Sequence, residues 1–317
     1  MPALVQLLAR RLLALLATLL VASFVVYTSI YLSPGSPESV LFGGRQPSPE
    51  LLAAARAHLG LDEPFLVRYF HWLREVLGGD LGTSLISQQP VTAKLGHPLE
   101  VTVLLVLYAA AIIVVAGLGL GLLSALNPGI VDAGITGLVS VATAVPAFVA
   151  SSVLISVFAV RLGWFPPFGF GDSVGGHLRA LTLPAVSLAI ISSGLVARVT
   201  RAAALEQNSS EHVRTAVSRG VSRRRIIRTH VLRNAAGPIA TVTGLQVAGL
   251  LAASVVVEQA FGLGGLGQVL ISSVQQKDFP VVQAICLLLV AAFVVLNLTA
   301  DLIGLLIDPR ARKASTA

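Results

Sequence analysis

Long apolar segments alternate with short polar ones along almost the whole chain. The first runs from Leu12 to Leu32, directly after Arg10 and Arg11. The approximate limits of the five that follow are 99–125, 133–160, 180–201, 237–257 and 283–307. Segments of about 20 residues can cross the ~30 Å hydrocarbon core of a bilayer as helices, which satisfy their own backbone hydrogen bonds. The pattern therefore predicts an all-α, polytopic membrane protein with six transmembrane helices.

The pattern divides the chain into a tail with the first helix (1–32), an extracytoplasmic loop (33–98), a transmembrane core (99–307) and a tail (308–317). The first apolar segment is longer than the 7–15 apolar residues that are usual in a cleaved signal peptide. We therefore predict a retained helix, with cleavage near Ser33 as the alternative.

The first loop contains apolar residues at helical spacing between Leu51 and Leu77, interrupted at Gly60 and Pro64. This spacing predicts two or three short helices on the outer face of the bundle. They would form either a structural lid or a contact surface for a partner that delivers substrate, and the residues do not decide between the two.

Composition supports the membrane assignment. The chain is 55% hydrophobic and 12% charged, with a mean hydropathy of +0.85, whereas soluble domains average about 25% charged residues. The net charge of +7 comes from basic residues at the N-terminus, in 198–233 and in the C-terminal tail. With six spans these regions share one side, which the positive-inside rule assigns to the cytoplasm. No nucleic-acid-binding motif accompanies the charge, so nucleic acid is not predicted as a partner.

The sequence lacks the motifs of a nucleotide-binding or hydrolytic enzyme. Its only lysines are Lys94, Lys277 and Lys313, and none follows a glycine as a Walker A loop requires. The pattern G-x-G-x-x-G at 262–267 follows a membrane span rather than a strand of a βαβ unit, and it predicts a backbone turn. The six histidines show no zinc-binding spacing, so neither a metal site nor an enzyme is predicted.

Few polar groups lie within the spans. Glu258 and Asp301 lie near the ends of spans, which disfavours a proton relay, although a gradient-driven carrier remains the alternative function. Gly117, Gly119 and Gly121 predict a face for close helix packing. The candidate pore-lining residues are Thr143, Ser151, Ser192 and Gln246.

The basic loop 202–236 carries the most specific pattern. Good helix formers extend from Glu206 to Arg219, with an aliphatic stripe of Leu205, Val213, Ala216 and Val217. Gly220 breaks this helix, and Ser222 is the predicted N-cap of a second helix, 223–235, before Pro238 begins the fifth span. The loop is either a helix–glycine–helix elbow that docks a partner or a basic surface that contacts anionic lipid.

The stretch from Glu211 to Pro238 resembles the EAA loop of ATP-binding-cassette (ABC) importer permeases, and most closely that of the dipeptide/oligopeptide/nickel branch. Two further regions are similar to the larger, first permease subunit of that branch. They are Leu59–Pro64 with Gly79–Ser84, and the C-terminal third with Phe261–Gly267, Asp278–Gln283, Asn297–Asp301 and Asp308–Arg310.

This resemblance implies the transmembrane domain of a type I ABC importer, moving peptides or similar small solutes into the cytoplasm by alternating access. It implies a bacterial inner-membrane location with both termini cytoplasmic. The implied partners are a second homologous permease, two ATPase subunits that bind ATP and Mg, an extracytoplasmic substrate-binding protein and membrane lipid. The implied ATPase-docking residues are Arg214, Thr215, Ala216, Val217, Arg219, Gly220 and Arg224, although Arg214 occupies the position of the family's name-giving Glu.

Overall fold

The computed structural model describes residues 2–32, 63–171 and 173–307, and these form a bundle of α-helices. In chain order the helices are α1 (Pro2–Leu32), α2 (Phe65–Leu77), α3 (Val91–Leu126), α4 (Ile130–Ala144), α5 (Ala147–Arg161), α6 (Val174–Asn208), α7 (Glu211–Ser218), α8 (Arg223–Phe261), α9 (Leu266–Gln275) and α10 (Phe279–Ile307). Within the described residues, α1, α3, α6, α8 and α10 are long and apolar enough to cross a membrane. The prediction of six spans is thus met by five long helices and one bent pair, α4 with α5.

The third predicted span, 133–160, is not one straight helix. The axes of α4 and α5 differ by 102°, and the break falls at Val145 and Pro146. Proline has no backbone N–H and disfavours a helical conformation in the residue before it. Val145 is extended, with a φ of −86° and a ψ of 116°. The prediction of a continuous helix through Pro146 was therefore wrong.

The core of the bundle lies between α3, α6, α8 and α5. Its buried members include Leu105 and Ile113 from α3, Leu188 from α6 and Leu250 from α8. α1 packs against α10 at the edge of the bundle, and its aromatic residues Phe24 and Tyr27 contact α2. α2 confirms a helix in the first loop, whereas the helical pattern of 51–59 lies outside the described residues.

Two predicted boundaries in the basic loop were wrong. The helix expected from Glu206 to Arg219 is divided, because α6 ends at Asn208 and α7 begins at Glu211. The hydroxyl of Ser209 donates to the carbonyl of Glu206 at 2.9 Å, and such local bonds compete with continued helix. The second helix, predicted over 223–235, does not end before Pro238. It continues through a π-helical turn (Ile227–Val231) into the fifth span.

Close packing of α3 against α6 depends on two glycines. A Cβ on Gly117 would lie 2.6 Å from Val196 Cγ1, and one on Gly121 would lie 2.6 Å from the carbonyl oxygen of Ala197. Gly119, between them, has nothing within 4 Å. The predicted small-residue face is therefore confirmed for Gly117 and Gly121, which are one helical turn apart.

We expect Gly121→Ala to destabilise the bundle by about 1–3 kcal/mol, the usual cost of overpacking, because the contact is with backbone that cannot rotate away. Gly119→Ala is the matched control, and it should be neutral or stabilising because alanine favours helix. Thermal unfolding of the purified chain in detergent measures both. Equal melting temperatures for the two variants would contradict this packing.

Candidate functional site

Helix α7 is anchored to the bundle by one apolar face. Val213 and Ala216, 3% and 6% exposed, pack with Ala125, Ala204, Ile226 and Val231 from α3, α6 and α8. The four elements that meet here define one end of the bundle, which we call the α7 end. Ala216, a predicted docking residue, therefore contacts its own chain and holds the helix in place.

The opposite face of α7 is exposed. Arg214, Thr215, Val217 and Arg219 are accessible, and the apolar side chain of Val217 is 60% exposed. The aliphatic stripe predicted for this loop is thus divided between two faces: Val213 and Ala216 are buried, and Val217 points outward. An exposed valine flanked by arginines is a surface suited to a partner.

Gly220 forms the tight turn that follows α7. Its φ is +72°, a left-handed conformation that a Cβ disfavours, and a Cβ placed there has nothing within 4 Å. The N–H of Gly220 donates to Val217 O, and that of Val221 donates to Ala216 O at 3.1 Å. Glycine is therefore required by the backbone conformation of the turn and not by crowding.

The first turns of α8 form a cationic surface beside this turn. Ser222 occupies the N-cap position but makes no side-chain capping bond. Arg223 donates to the carbonyl of Leu126 at 2.9 Å, which attaches α8 to the end of α3. Arg224, a predicted docking residue, is exposed and lines a cleft with Arg228.

A bidentate ion pair, which the sequence analysis did not identify, fastens α4 to α6 at the same end. Arg201 Nε and Nη2 lie 2.6 Å from Asp132 Oδ1 and Oδ2, and Ser124 of α3 also donates to Asp132. The paired fork geometry is specific to arginine and carboxylate. The sequence offered one signal of this pair, since Asp132 is an acidic residue in the first turn of the helix that follows Asn127-Pro128-Gly129. Its partner Arg201 is 69 residues away, so the sequence did not indicate the pairing.

The four candidate pore residues lie on four different helices. Thr143 lies on α4, where its hydroxyl accepts a bond from Arg198 at 3.1 Å. Ser151 is fully buried on α5 and donates to the carbonyl of Ala147. Ser192 on α6 is buried, and Gln246 on α8 is half-buried. The exposed Arg198 thus connects α6 to Thr143 of α4.

The other end of the bundle, which carries α9, contains a buried carboxylate. Glu258 is fully buried three residues before the end of α8. Its Oε1 accepts from Thr102 Oγ1 at 2.8 Å, and its Oε2 accepts from the N–H of Gly267 at 2.7 Å. Thr102 Oγ1 in turn accepts from the N–H of Leu266 at 2.9 Å. Glu258 therefore joins α3 and α8 to the start of α9.

The glycine-rich pattern at 262–267 forms the turn between α8 and α9. Glu258 stabilises this turn by accepting a hydrogen bond from the N–H of Gly267. Gly262 and Gly264 have φ values of +57° and +74°. A Cβ on Gly265 or Gly267 would lie 2.5 or 2.9 Å from the Glu258 carboxylate. The interpretation of this motif as a backbone turn is confirmed, and each of its glycines has a steric or conformational reason.

A second buried carboxylate joins two of the regions that carry the family resemblance. Asp278, fully buried, accepts from Ser84 Oγ at 2.5 Å and from the N–H of Leu85 at 3.0 Å. Lys94 Nζ lies 3.2 Å from its Oδ2. The segment 80–94 is thus tied to the start of α10, almost 200 residues later in the chain.

The described helices form a bundle of apolar, membrane-length helices with one exposed helix between two of them, which is the architecture of a polytopic membrane protein. Its described part, 2–32, 63–171 and 173–307, contains no cluster of three or more potential metal ligands. The chain belongs to the family of binding-protein-dependent transport system inner membrane components. The family's model matches residues 117–313, and the model of its N-terminal region matches residues 4–105.

Relatives match over nearly their full length. A protein of Brucella abortus (strain 2308) described as a peptide transport system permease is 38% identical over 93% of this chain and 95% of its own. The glutathione transport system permease GsiC of Pectobacterium atrosepticum is 37% identical over 96% and 97%. A chain of the inward-facing MetNI methionine ABC transporter shares the fold, with a TM-score of 0.56 over 68% of this chain and 97% of its own at 18% identity. The protein is a permease subunit of an ABC importer.

Proposed function

We propose that this chain is one half of the channel of an importer for peptides or similar small solutes, together with a second homologous permease. The relatives named for peptide and glutathione transport support this cargo class. Two ATPase subunits bind ATP and Mg and hydrolyse the ATP, and an extracytoplasmic binding protein delivers the solute. Both termini and α7 face the cytoplasm, in keeping with the basic residues of 198–233.

The observation that carries this proposal is the division of α7 into two faces. Val213 and Ala216 fix the helix to the bundle, while Arg214, Thr215 and Val217 remain accessible. In this arrangement, a partner bound to the exposed face of α7 can move α7. The buried face of α7 then transmits that movement to α3, α6 and α8. The docking surface therefore consists of Arg214, Thr215, Val217, Arg219 and Arg224, with Ala216 and Gly220 setting its geometry.

The pathway for solute is proposed to pass along α4, α5, α6 and α8, which carry Thr143, Ser151, Ser192 and Gln246. Hydroxyl and amide groups of this kind also serve as interhelical hydrogen-bonding groups. These residues provide few polar atoms that could form hydrogen bonds specific to one solute. We therefore assign selectivity mainly to the binding protein.

Affinity capture of the full-length chain from native membranes should recover an ATPase and a second six-span permease. Uptake in vesicles should require ATP and persist when an uncoupler removes the proton gradient. A gradient-driven carrier gives the opposite result, with uptake that survives loss of the ATPase and fails with the uncoupler. Identification of the ligand on the co-purified binding protein then defines the cargo.

A further inference from the structure

The first turns of α8 form a cationic cleft on the surface of the α7 end. Its volume is about 620 Å³, and it is lined by Ser222, Arg224, Arg225, Arg228, Thr229 and Arg233. The four arginines are exposed, and none of the lining residues is acidic. In the part of the chain that the structure describes, the ion pairs of arginine do not include any of these four. Among the described residues, the cleft thus holds concentrated positive charge without a paired carboxylate.

An apolar groove of about 510 Å³ lies between α3, α8 and α10. Along α8 it extends from Leu232 to Val247, a distance of about 22 Å at 1.5 Å per residue. One leaflet contributes half of the ~30 Å hydrocarbon core, so the groove is long enough for an acyl chain. Gly244 and Ala300 both line the groove and are in close contact, since a Cβ on Gly244 would lie 2.0 Å from Ala300 Cβ.

The cleft and the groove meet on one face of α8. Arg228 lines the cleft and Leu232, four residues later, lines the groove. Ala236 continues the same face one turn further on. Leu232 of the groove and Arg233 of the cleft are consecutive in the chain, so the charged cleft adjoins the apolar groove. A ligand that fits both parts has an anionic head and a long apolar tail.

We propose that this surface is a binding site for an anionic phospholipid of the membrane. The phosphate lies among Arg225, Arg228 and Arg233, and one acyl chain lies in the groove. Basic pockets between transmembrane helices are known to recognise such headgroups. A zwitterionic lipid places its own cation among these arginines, and a soluble phosphate leaves the groove unfilled. The cleft adjoins the proposed ATPase-docking surface at Arg224, whereas Arg225, Arg228 and Arg233 lie outside that surface.

Native mass spectrometry of the full-length chain, purified with its partners, tests the site directly. The probes are phosphatidylglycerol and phosphatidylcholine with identical acyl chains. We expect the wild type to retain phosphatidylglycerol preferentially. Each arginine removed in Arg225→Ala and Arg228→Ala should weaken that binding about fivefold, whereas Arg225→Lys and Arg228→Lys should keep most of it. Unchanged preference in the double alanine variant overturns the proposal.

Two further comparisons separate the possible ligands. Ala240→Phe fills the groove and should reduce phosphatidylglycerol binding, whereas Leu245→Phe, at an exposed position of α8 outside the groove, should not. Displacement of the lipid by inorganic phosphate at matched concentration means that the groove contributes nothing, and it overturns the lipid assignment. Loss of the ATPase from the double alanine variant, with lipid preference intact, assigns the arginines to that partner instead and also overturns it.

Discussion

Replacing Gly220 with valine is expected to reduce ATP-driven uptake about tenfold while the chain still inserts and assembles. The turn after α7 holds this residue at a φ of +72°, and a left-handed conformation costs a residue with a Cβ about 1–2 kcal/mol, more when the side chain is β-branched. Relief of that strain rotates α7 relative to α8. Since 1.4 kcal/mol is a factor of ten in an equilibrium, the docking geometry is then rarely populated.

Asparagine at the same position provides the matched control, because it adopts the left-handed region more readily than other residues with a side chain. Gly220→Asn should therefore retain most of the uptake that Gly220→Val loses. Vesicle uptake and ATP hydrolysis are measured on the same preparations. The elbow hypothesis fails if the valine variant couples hydrolysis to uptake normally, or if both variants are equally impaired.

The second large effect is expected at the α9 end. Asp278→Ala removes the carboxylate that accepts bonds from Ser84, Leu85 and Lys94. The substitution leaves Lys94, whose side chain is 27% exposed, without its anion. It also leaves the hydroxyl of Ser84 and the N–H of Leu85 without this acceptor. A buried donor left without an acceptor costs about 1–3 kcal/mol, so the lost contacts together are expected to cost about 3–5 kcal/mol. We expect a loss of that size in the free energy of unfolding, measured by denaturation in detergent.

Asp80 supplies a control in the same segment. Its exposed carboxylate accepts one bond from the N–H of Gly82 at 2.8 Å, so Asp80→Ala should cost less than about 1 kcal/mol. A double-mutant cycle with Lys94→Met isolates the ionic part of the Asp278 contribution. Equal losses from Asp80→Ala and Asp278→Ala would show that Asp278 does not hold the two segments together.

Hydropathy was sufficient to predict the membrane-length helices, because a chain segment in lipid has few alternatives to a helix. It did not predict the bend at Pro146, although the proline was a visible signal within the third segment. It also placed the start of the fifth helix at Pro238. Proline removes one hydrogen bond but does not end a helix that neighbouring helices support, and here α8 continues from Arg223 to Phe261.

The contacts of the buried carboxylates could not be predicted from the sequence. Asp278 and Ser84 are 194 residues apart, and Glu258 and Thr102 are 156 residues apart. Periodicity reports which face of a helix is apolar, but it gives no distance between elements. The same limit applies to Ala216 and Val217, which periodicity does not separate. Both belong to the apolar stripe of α7, and tertiary packing alone shows that only Ala216 is buried.

The continuity of α8 has a mechanical consequence. With 39 residues, it is a rod about 58 Å long whose first turn adjoins the Gly220 elbow and whose last turn carries Glu258. Its two irregularities, the π-helical turn at Ile227–Val231 and Pro238, both lie in the half nearer the elbow. A tilt imposed at the elbow therefore displaces the opposite end of α8, near Glu258. The stiffness of the first turns of α8 determines how much of that displacement is transmitted.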